Sequence, residues 1–62
     1  MNRYALICRS ILEQAEVTQR EMAQRLELSL GTVNQLVKEC LAEGYIAEEE
    51  NGKEKYLILL EK

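Results

Sequence analysis

A chain of 62 residues can hold one domain at most, and a domain this small buries only about 60% of the surface that its unfolded chain exposes. The hydrophobic fraction of 47% and the charged fraction of 31% are those of a globular protein, which excludes wholesale disorder. The formal net charge is −3, and histidine, the commonest general base and metal ligand, is absent. We therefore expect one domain over residues 1–62 that is not an enzyme, with no catalytic residue, no metal and no cofactor.

The sequence carries neither a recognisable membrane span nor a signal peptide. No apolar run approaches the roughly 20 residues that a membrane helix needs. The N-terminal residues lack the basic, then apolar, then small-residue order of a secretory signal, so we expect a cytoplasmic chain without membrane contact. Cys8 and Cys40 stand alone within apolar stretches, without the spacing of a zinc site, which favours buried structural thiols.

The first predicted helix runs from Tyr4 to Leu12, with Asn2 available as its N-cap. Its apolar residues recur at the spacing of one helical face. They are Tyr4, Ile7, Cys8, Ile11 and Leu12. Ala5 and Leu6 widen this apolar surface, which predicts either a broad core contact or a contact with another subunit or domain.

The second predicted helix begins at Thr18 with a capping box. In this motif the Thr18 hydroxyl accepts a hydrogen bond from the Glu21 amide, and the Glu21 carboxylate accepts one from the Thr18 amide. Val17 and Met22 stand at the two positions of a hydrophobic staple. The helix is expected to end near residues 27–28.

The third predicted helix follows after a tight turn, with Ser29 as its N-cap and Gly44 as its C-cap residue. Its inner face is marked by an apolar stripe. The residues of this stripe are Val33, Leu36, Val37, Cys40 and Leu41. The residues that point outward are Gly31, Gln35, Lys38, Glu39 and Ala42, with Thr32 and Asn34 on the flanks.

Beyond Gly44 the pattern becomes that of two strands, the first beginning at Tyr45-Ile46-Ala47 and the second covering residues 56–60. Asn51-Gly52 is a strong hairpin signal, and we expect these two residues to form the turn. The predicted cross-strand pairs are Glu50 with Lys53, Glu49 with Glu54 and Glu48 with Lys55. The second strand is apolar on both faces, so its outer face is either covered or partly exposed.

Two short helices joined by a tight turn and followed by a hairpin form a helix-turn-helix with a wing, in a mainly helical α+β fold. The sequence resembles the bacterial winged helix-turn-helix superfamily, of the kind found in MarR-type repressors. The resemblance rests on TQREMAQRL at residues 18–26, LSLGTV at 28–33 and LAEGYI at 41–46. Ala23 stands where two crossing helices need a small side chain. Val33 and Leu36 stand where the family packs its third, DNA-reading helix against the helix before it. Glu27 departs from the pattern because the family often has glycine there, and a left-handed backbone would cost about 1 kcal/mol.

The resemblance implies a DNA-binding transcriptional regulator that inserts the third helix, about 29–43, into the major groove of double-stranded DNA. Gln and Asn can pair with adenine, Lys can reach guanine or phosphate, and polar groups at a helix start can bind phosphate. The candidate DNA-binding residues are Thr18, Gln19, Arg20, Ser29, Gly31, Thr32, Asn34, Gln35, Lys38, Lys53 and Lys55.

The charge distribution argues against strong DNA binding. Residues 45–56 carry two positive and four negative charges, and Glu48, Glu49 and Glu50 would be repelled by phosphate. We therefore keep three functions open. The first is a DNA-binding regulator that acts as a homodimer, or as the head of a larger protein, through the first helix and strand 56–60. The second is a protein-interaction module with weak or no DNA binding, and the third is the N-terminal head of a nucleotidyltransferase-like enzyme.

Overall fold

The computed structural model describes residues 2–60. The predicted domain covers residues 1–62, so its first residue and its last two lie outside the described residues. Within this range, three α-helices are followed by a two-stranded antiparallel sheet. The elements are α1 (Arg3–Glu13), α2 (Gln19–Leu26), α3 (Leu30–Glu43), β1 (Ile46–Asn51) and β2 (Glu54–Leu59). The mainly helical α+β fold predicted from the sequence is confirmed.

The start of α2 has the capping box that the sequence predicts. The Glu21 amide donates to Thr18 Oγ1 at 3.2 Å, and the Thr18 amide donates to Glu21 Oε1 at 2.9 Å. The hydrogen bond from the Thr18 backbone amide stabilises the ionised carboxylate and lowers the pKa of Glu21. Val17 and Met22, the two staple residues, are both fully buried. This box and staple together fix where α2 begins.

The other two helices also begin at the predicted caps. The Tyr4 amide donates to Asn2 Oδ1 at 2.8 Å, and the Thr32 amide donates to Ser29 Oγ at 3.1 Å. α3 ends at Gly44, whose φ of 77° is the left-handed conformation that a helix C-cap favours. The predicted boundaries of α1 and α3 are therefore close to the observed ones.

Glu27 closes α2 in the left-handed conformation, with φ 56° and ψ 41°. The turn continues with the Leu28 amide donating to the Ala23 carbonyl oxygen at 3.0 Å. Glu16, in the loop between α1 and α2, also has a positive φ of 55°, which the sequence did not predict. Both residues carry the steric strain that glycine would avoid.

The core lies between the helices and the inner face of the sheet. Its buried apolar residues are Ile7, Val17, Met22, Ala23, Val33, Leu36, Val37, Cys40, Ile46 and Leu57. Ala23 is 7% exposed, as its small size at the crossing of α2 and α3 predicts. Cys8 and Cys40 are free thiols, and burial raises the pKa of Cys40 to about 11. Cys40 is thus a structural thiol, while Cys8 is half-buried at the edge of the core.

Two leucines that the sequence assigned to inner faces lie outside. Leu12 is 75% exposed, because it lies about 140° around α1 from the buried Ile7 at 100° per residue. Leu41 is 36% exposed in the last turn of α3, at the edge of the stripe that contains Val37 and Cys40. The predicted apolar faces were therefore too wide at the ends of both helices.

The predicted hairpin is present, but its register was wrong by two residues. Asn51 lies opposite Glu54 and Glu50 opposite Lys55, so the central turn residues are Gly52 and Lys53. Gly52 has a φ of 68°, and Asn51 is the last residue of β1. Glycine with a positive φ at the first central position is typical of one class of two-residue hairpin turn. Of the three predicted pairs none forms.

Contacts outside the turn anchor this register. The Leu57 amide donates to the Val17 carbonyl oxygen at 3.0 Å, and Asn51 Nδ2 donates to Glu16 Oε1 at 3.1 Å. Both bonds attach the hairpin to the loop before α2. In the observed register one pair of opposite charges lies across the two strands, Glu50 with Lys55. This pair was not among those predicted.

The outer side of β2 is only partly covered. Tyr56 and Ile58 on this side are half-buried, and Leu60 is 42% exposed just beyond the strand. An apolar groove of about 400 Å³ separates this strand from the end of α1. The groove is lined by Ile11 and Leu12 of α1, by Ala15 and Glu16 of the loop that follows, and by residues 56–59 on the strand side. We call it the α1–β2 groove.

Candidate nucleic-acid interface

The outer face of α3 carries the polar residues that the sequence identified as candidate readers. Asn34, Gln35 and Lys38 are exposed, while Val33 and Leu36 on the opposite face are buried. Packing through the apolar stripe therefore fixes the helix and leaves this polar face accessible. We call it the reading face.

The starts of α2 and α3 lie next to one another beside the reading face. Asn34 Nδ2 donates to Gln19 Oε1 at 3.2 Å, which joins the two helices. Ser29 Oγ donates to Thr32 Oγ1 at 2.8 Å and accepts from the Thr32 amide, so both hydroxyls contribute to the cap. Four of the candidate residues are thus brought together at one corner of the molecule.

Gly31, in the first turn of α3, is not required by packing within residues 2–60. Apart from its own stretch of helix backbone, a Cβ atom built on it would meet nothing within 4 Å. A glycine inside a helix costs about 1 kcal/mol relative to alanine. The space at Gly31 is therefore open to the outside of the molecule.

The wing reaches the start of α2. Thr18 and Arg20 line one side of a shallow polar groove of about 250 Å³, and Glu54 and Lys55 line the other. Lys53 occupies the hairpin turn. The fold thus groups Arg20 and Lys55, two cations that are distant in the sequence.

Acidic residues of the wing lie beside Lys55, with Glu50 opposite it and Glu54 next to it. Glu48, Glu49 and Glu50 are all exposed on β1. Arg25 lies in an ion pair, with Nη2 3.4 Å from Glu13 Oε1, and its Nη1 donates to Gln14 Oε1 at 3.1 Å. Within residues 2–60, Arg25 is therefore paired with an acidic residue rather than grouped with Arg20 and Lys55.

Glu39, one helical turn after Gln35, connects α3 to α1. Gln35 Nε2 donates to Glu39 Oε2 at 3.0 Å, and the Tyr4 hydroxyl donates to Glu39 Oε1 at 2.8 Å. Arg3 Nη2 donates to Glu39 Oε2 at 3.3 Å in an ion pair. The hydrogen bonds from Gln35 and then Tyr4 lower the pKa of Glu39, and the bond to Glu39 raises the pKa of Tyr4.

The sequence did not identify Glu39 as a site residue. Its spacing of four from Gln35 was a usable signal, because side chains at i and i+4 are neighbours on a helix. The contact with Tyr4 spans 35 positions and depends on how α1 crosses α3. The spacing of residues within each helix does not indicate how α1 and α3 cross.

The class of protein follows from a comparison with known families. The chain belongs to the winged helix-turn-helix DNA-binding family, which it matches over residues 6–47. The match extends from α1 to the beginning of β1. It confirms the predicted superfamily and implies DNA as a partner, while the MarR-type subgroup stays a prediction.

Two further comparisons add no relative. No curated protein and no solved structure matches the chain significantly. Among residues 2–60, no helix has the length and apolar character that crossing a membrane requires. The same part of the chain contains no cluster of three or more cysteine or acidic residues able to hold a metal ion.

Proposed function

We propose that this chain is the DNA-binding domain of a transcriptional regulator and inserts α3 into the major groove of double-stranded DNA. The observation that carries the proposal is the reading face, where Asn34, Gln35 and Lys38 are exposed on a helix whose other side is fixed by the core. Carboxamides pair with adenine through two hydrogen bonds, and lysine reaches guanine or phosphate. Membership of a DNA-binding family supports the same function.

The residues around the reading face would contact the DNA backbone. At the starts of α2 and α3 the candidates for phosphate binding are Thr18, Gln19, Arg20, Ser29 and Thr32. Amide hydrogens and hydroxyls at a helix N-terminus suit an anion. Lys53 and Lys55 on the wing would bind phosphate beside Arg20, which the grouping of Arg20 and Lys55 supports.

Gly31 supports a close approach of DNA to the start of α3. The open space beside it has no role in packing this part of the chain, although glycine weakens the helix. A glycine is useful there because it lets the helix backbone come close to a phosphate group. Gly31→Ala should therefore stabilise the fold and weaken DNA binding.

The exposed glutamates of β1 set the strength of binding. Phosphate neutralisation supplies much of the affinity of DNA-binding proteins, and these carboxylates oppose it. We therefore expect weak binding by this chain alone, with a steep dependence on salt.

The proposal is tested by titrating labelled duplex DNA with the chain at about 20 mM salt, where phosphate attraction is least screened. Lys38→Ala should weaken binding to every sequence, because lysine contributes charge. Gln35→Ala should mainly relax preference at one base pair, where a mismatch costs roughly 1–3 kcal/mol. Arg9→Ala, which removes an exposed cation from α1, is the matched control and should change binding little.

Two results would contradict DNA reading by α3. One is the absence of any binding at low salt. The other is an equal effect of Gln35→Ala and Arg9→Ala on selected and random DNA. The absence of binding would favour the second candidate function below, whereas the equal effect would leave DNA binding standing and remove Gln35 as a base reader.

We also propose that the domain works as a homodimer, or joined to another domain, through α1 and residues 56–60. The α1–β2 groove supports this, since it is apolar and borders the 75% exposed Leu12. Leu6 on α1 and Leu60 beyond β2 add further exposed apolar surface. A dimer would let two reading faces bind half-sites about one DNA turn apart.

A protein-interaction module is the second candidate function. The acidic wing and the α1–β2 groove favour it, because the first repels phosphate and the second suits an apolar partner. It would retain the fold without DNA binding. The low-salt titration separates the two candidates.

A further inference from the structure

We propose that Glu39 determines base specificity by holding the side-chain amide of Gln35 in the orientation that accepts adenine and rejects guanine. The inference rests on the proposed function, because it requires α3 to lie in the major groove. Its origin is the hydrogen bond from Gln35 Nε2 to Glu39 Oε2 at 3.0 Å.

The chemistry of the two groups fixes which end of the amide faces Glu39. An ionised carboxylate can only accept hydrogen bonds, so it binds the NH₂ end of Gln35 and repels the carbonyl end. One of the two amide hydrogens is thereby occupied. The second hydrogen and the carbonyl oxygen Oε1 are the groups left to pair with a base.

This remaining pair of groups distinguishes the two purines. Adenine presents N7 as an acceptor and its amino group as a donor, which match one N–H and one carbonyl oxygen. Guanine presents two acceptors, N7 and O6, and would need both amide hydrogens. With one hydrogen occupied by Glu39, the oxygen of Gln35 would face O6 of guanine and be repelled.

Glu39 can impose this orientation because it is itself held from α1. Its second oxygen accepts from the Tyr4 hydroxyl at 2.8 Å, and Arg3 is in an ion pair with the carboxylate at 3.3 Å. The Glu39 side chain is only 27% exposed. A glutamate is ionised at neutral pH, and the hydrogen bonds that lower the pKa of Glu39 favour this form further, so the carboxylate remains an acceptor.

The Tyr4 ring is also positioned by neighbours. It contacts the ring of Tyr45 at a centroid distance of 6.0 Å, and the Arg3 guanidinium lies 5.8 Å from its centre. α1 therefore supports the orientation of a side chain on α3 through Tyr4 and Glu39. Neither residue needs to contact DNA to affect base preference.

The test compares two duplexes that differ only by A·T or G·C at the base pair where Gln35→Ala relaxes preference. The wild-type chain should bind the A·T duplex about tenfold more tightly, the discrimination of one good base contact. Glu39→Ala should bind both duplexes more tightly because a negative charge is lost. The ratio of the affinity for the A·T duplex to that for the G·C duplex should nevertheless fall toward one. Glu48→Ala is the matched control, since it removes the same charge from an exposed position on β1, outside the groups that act on Tyr4 and Glu39, and should keep this ratio of affinities.

Tyr4→Phe tests the same inference without changing charge. It removes one anchor of Glu39, so it should lower the ratio by less than Glu39→Ala does and leave the affinity for random DNA unchanged. If Glu39→Ala did not fold, as judged by circular dichroism, Tyr4→Phe would decide the question.

If the A·T to G·C affinity ratio were unchanged in Glu39→Ala, the inference would be overturned, although the proposed DNA binding would stand. If Glu39→Ala did not fold, an unchanged ratio in Tyr4→Phe would overturn it in the same way. A Gln35→Ala variant that altered preference at no base pair would overturn it as well. Failure of the wild-type chain to bind any duplex at low salt would refute the proposed function, and the inference with it. These outcomes are distinguishable in the same titrations.

Discussion

Glu39 is an acidic residue on the helix that we propose to face DNA, and its neighbours reduce the electrostatic cost of that position. Arg3 pairs with it, and hydrogen bonds from Tyr4 and Gln35 satisfy both carboxylate oxygens. A carboxylate that is paired in this way repels phosphate less than an unpaired one does. We therefore propose that Glu39 combines weak repulsion of phosphate with control of the Gln35 orientation.

Glu27 is one of two non-glycine residues within residues 2–60 whose backbone has a positive φ. It ends α2 in the left-handed conformation, where a Cβ atom crowds the following carbonyl group. The residue is exposed, so its side chain is not needed for packing. Glycine would adopt the same conformation without the crowding.

Glu27→Gly should raise the free energy of unfolding by about 1 kcal/mol. This value is the backbone strain that glycine relieves, reduced by the greater conformational entropy of glycine in the unfolded chain. Urea denaturation measures this directly. Glu27→Ala is the matched control, because it removes the same carboxylate but keeps the Cβ atom. If both variants had equal stability, the strain assigned to this turn would be wrong.

Residues whose structure depends on near neighbours were predictable from the sequence. The caps at Asn2, Thr18 and Ser29 each bind an amide within three positions, so a short motif contains the whole interaction. Leu12 was misassigned because helical spacing gives a face but not how far the neighbouring elements cover it. The bond between Tyr4 and Glu39 was not predicted for a related reason, since it depends on helix packing.

At the scale of elements, the wing shows what a local signal can and cannot determine. Asn51-Gly52 correctly predicted a hairpin, because glycine supports the positive φ that the turn needs. The register was decided by the bond from Leu57 to Val17 and by the bond from Asn51 to Glu16. A shift of two residues keeps the same side chains on the core face, so the apolar pattern could not reveal it.

α1 and β2 together form the apolar surface that we propose for self-association. Leu12 borders the α1–β2 groove at 75% exposure, so replacing it should affect a partner more than the fold. An isologous contact would place each Leu12 against the groove of the other copy. The element pair thus offers both a protruding side chain and a groove to receive it.

Leu12→Gln should shift the sedimentation of the chain from dimer toward monomer while circular dichroism shows unchanged helical content, because the 75% exposed side chain contributes little to the core. Leu30→Gln is the matched control, since Leu30 is 49% exposed at the start of α3, away from the groove residues. A wild-type chain that sedimented as a monomer at all concentrations would rule out a homodimer. Dimers that survived Leu12→Gln would assign the contact to another surface.

For the whole molecule, the question is how a chain of net charge −3 can bind a polyanion. The fold groups Arg20 with Lys55 beside the start of α2, and places Lys53 at the tip of the wing. Local positive charge can attract phosphate while the remainder of the surface is acidic, but the attraction is screened within about 10 Å at 0.1 M salt. Neither the grouping of Arg20 with Lys55 nor the pairing of Arg25 with Glu13 could be read from the sequence, because both depend on tertiary packing.

The most direct test of the central claim is nuclear magnetic resonance of the ¹⁵N-labelled chain titrated with duplex DNA at about 20 mM salt. Our account predicts amide shifts concentrated in residues 29–38, at the start of α2 and in the turn at Gly52-Lys53, and their loss as salt is raised. No shift with DNA, or shifts confined to the α1–β2 groove, would contradict the assignment of the reading face.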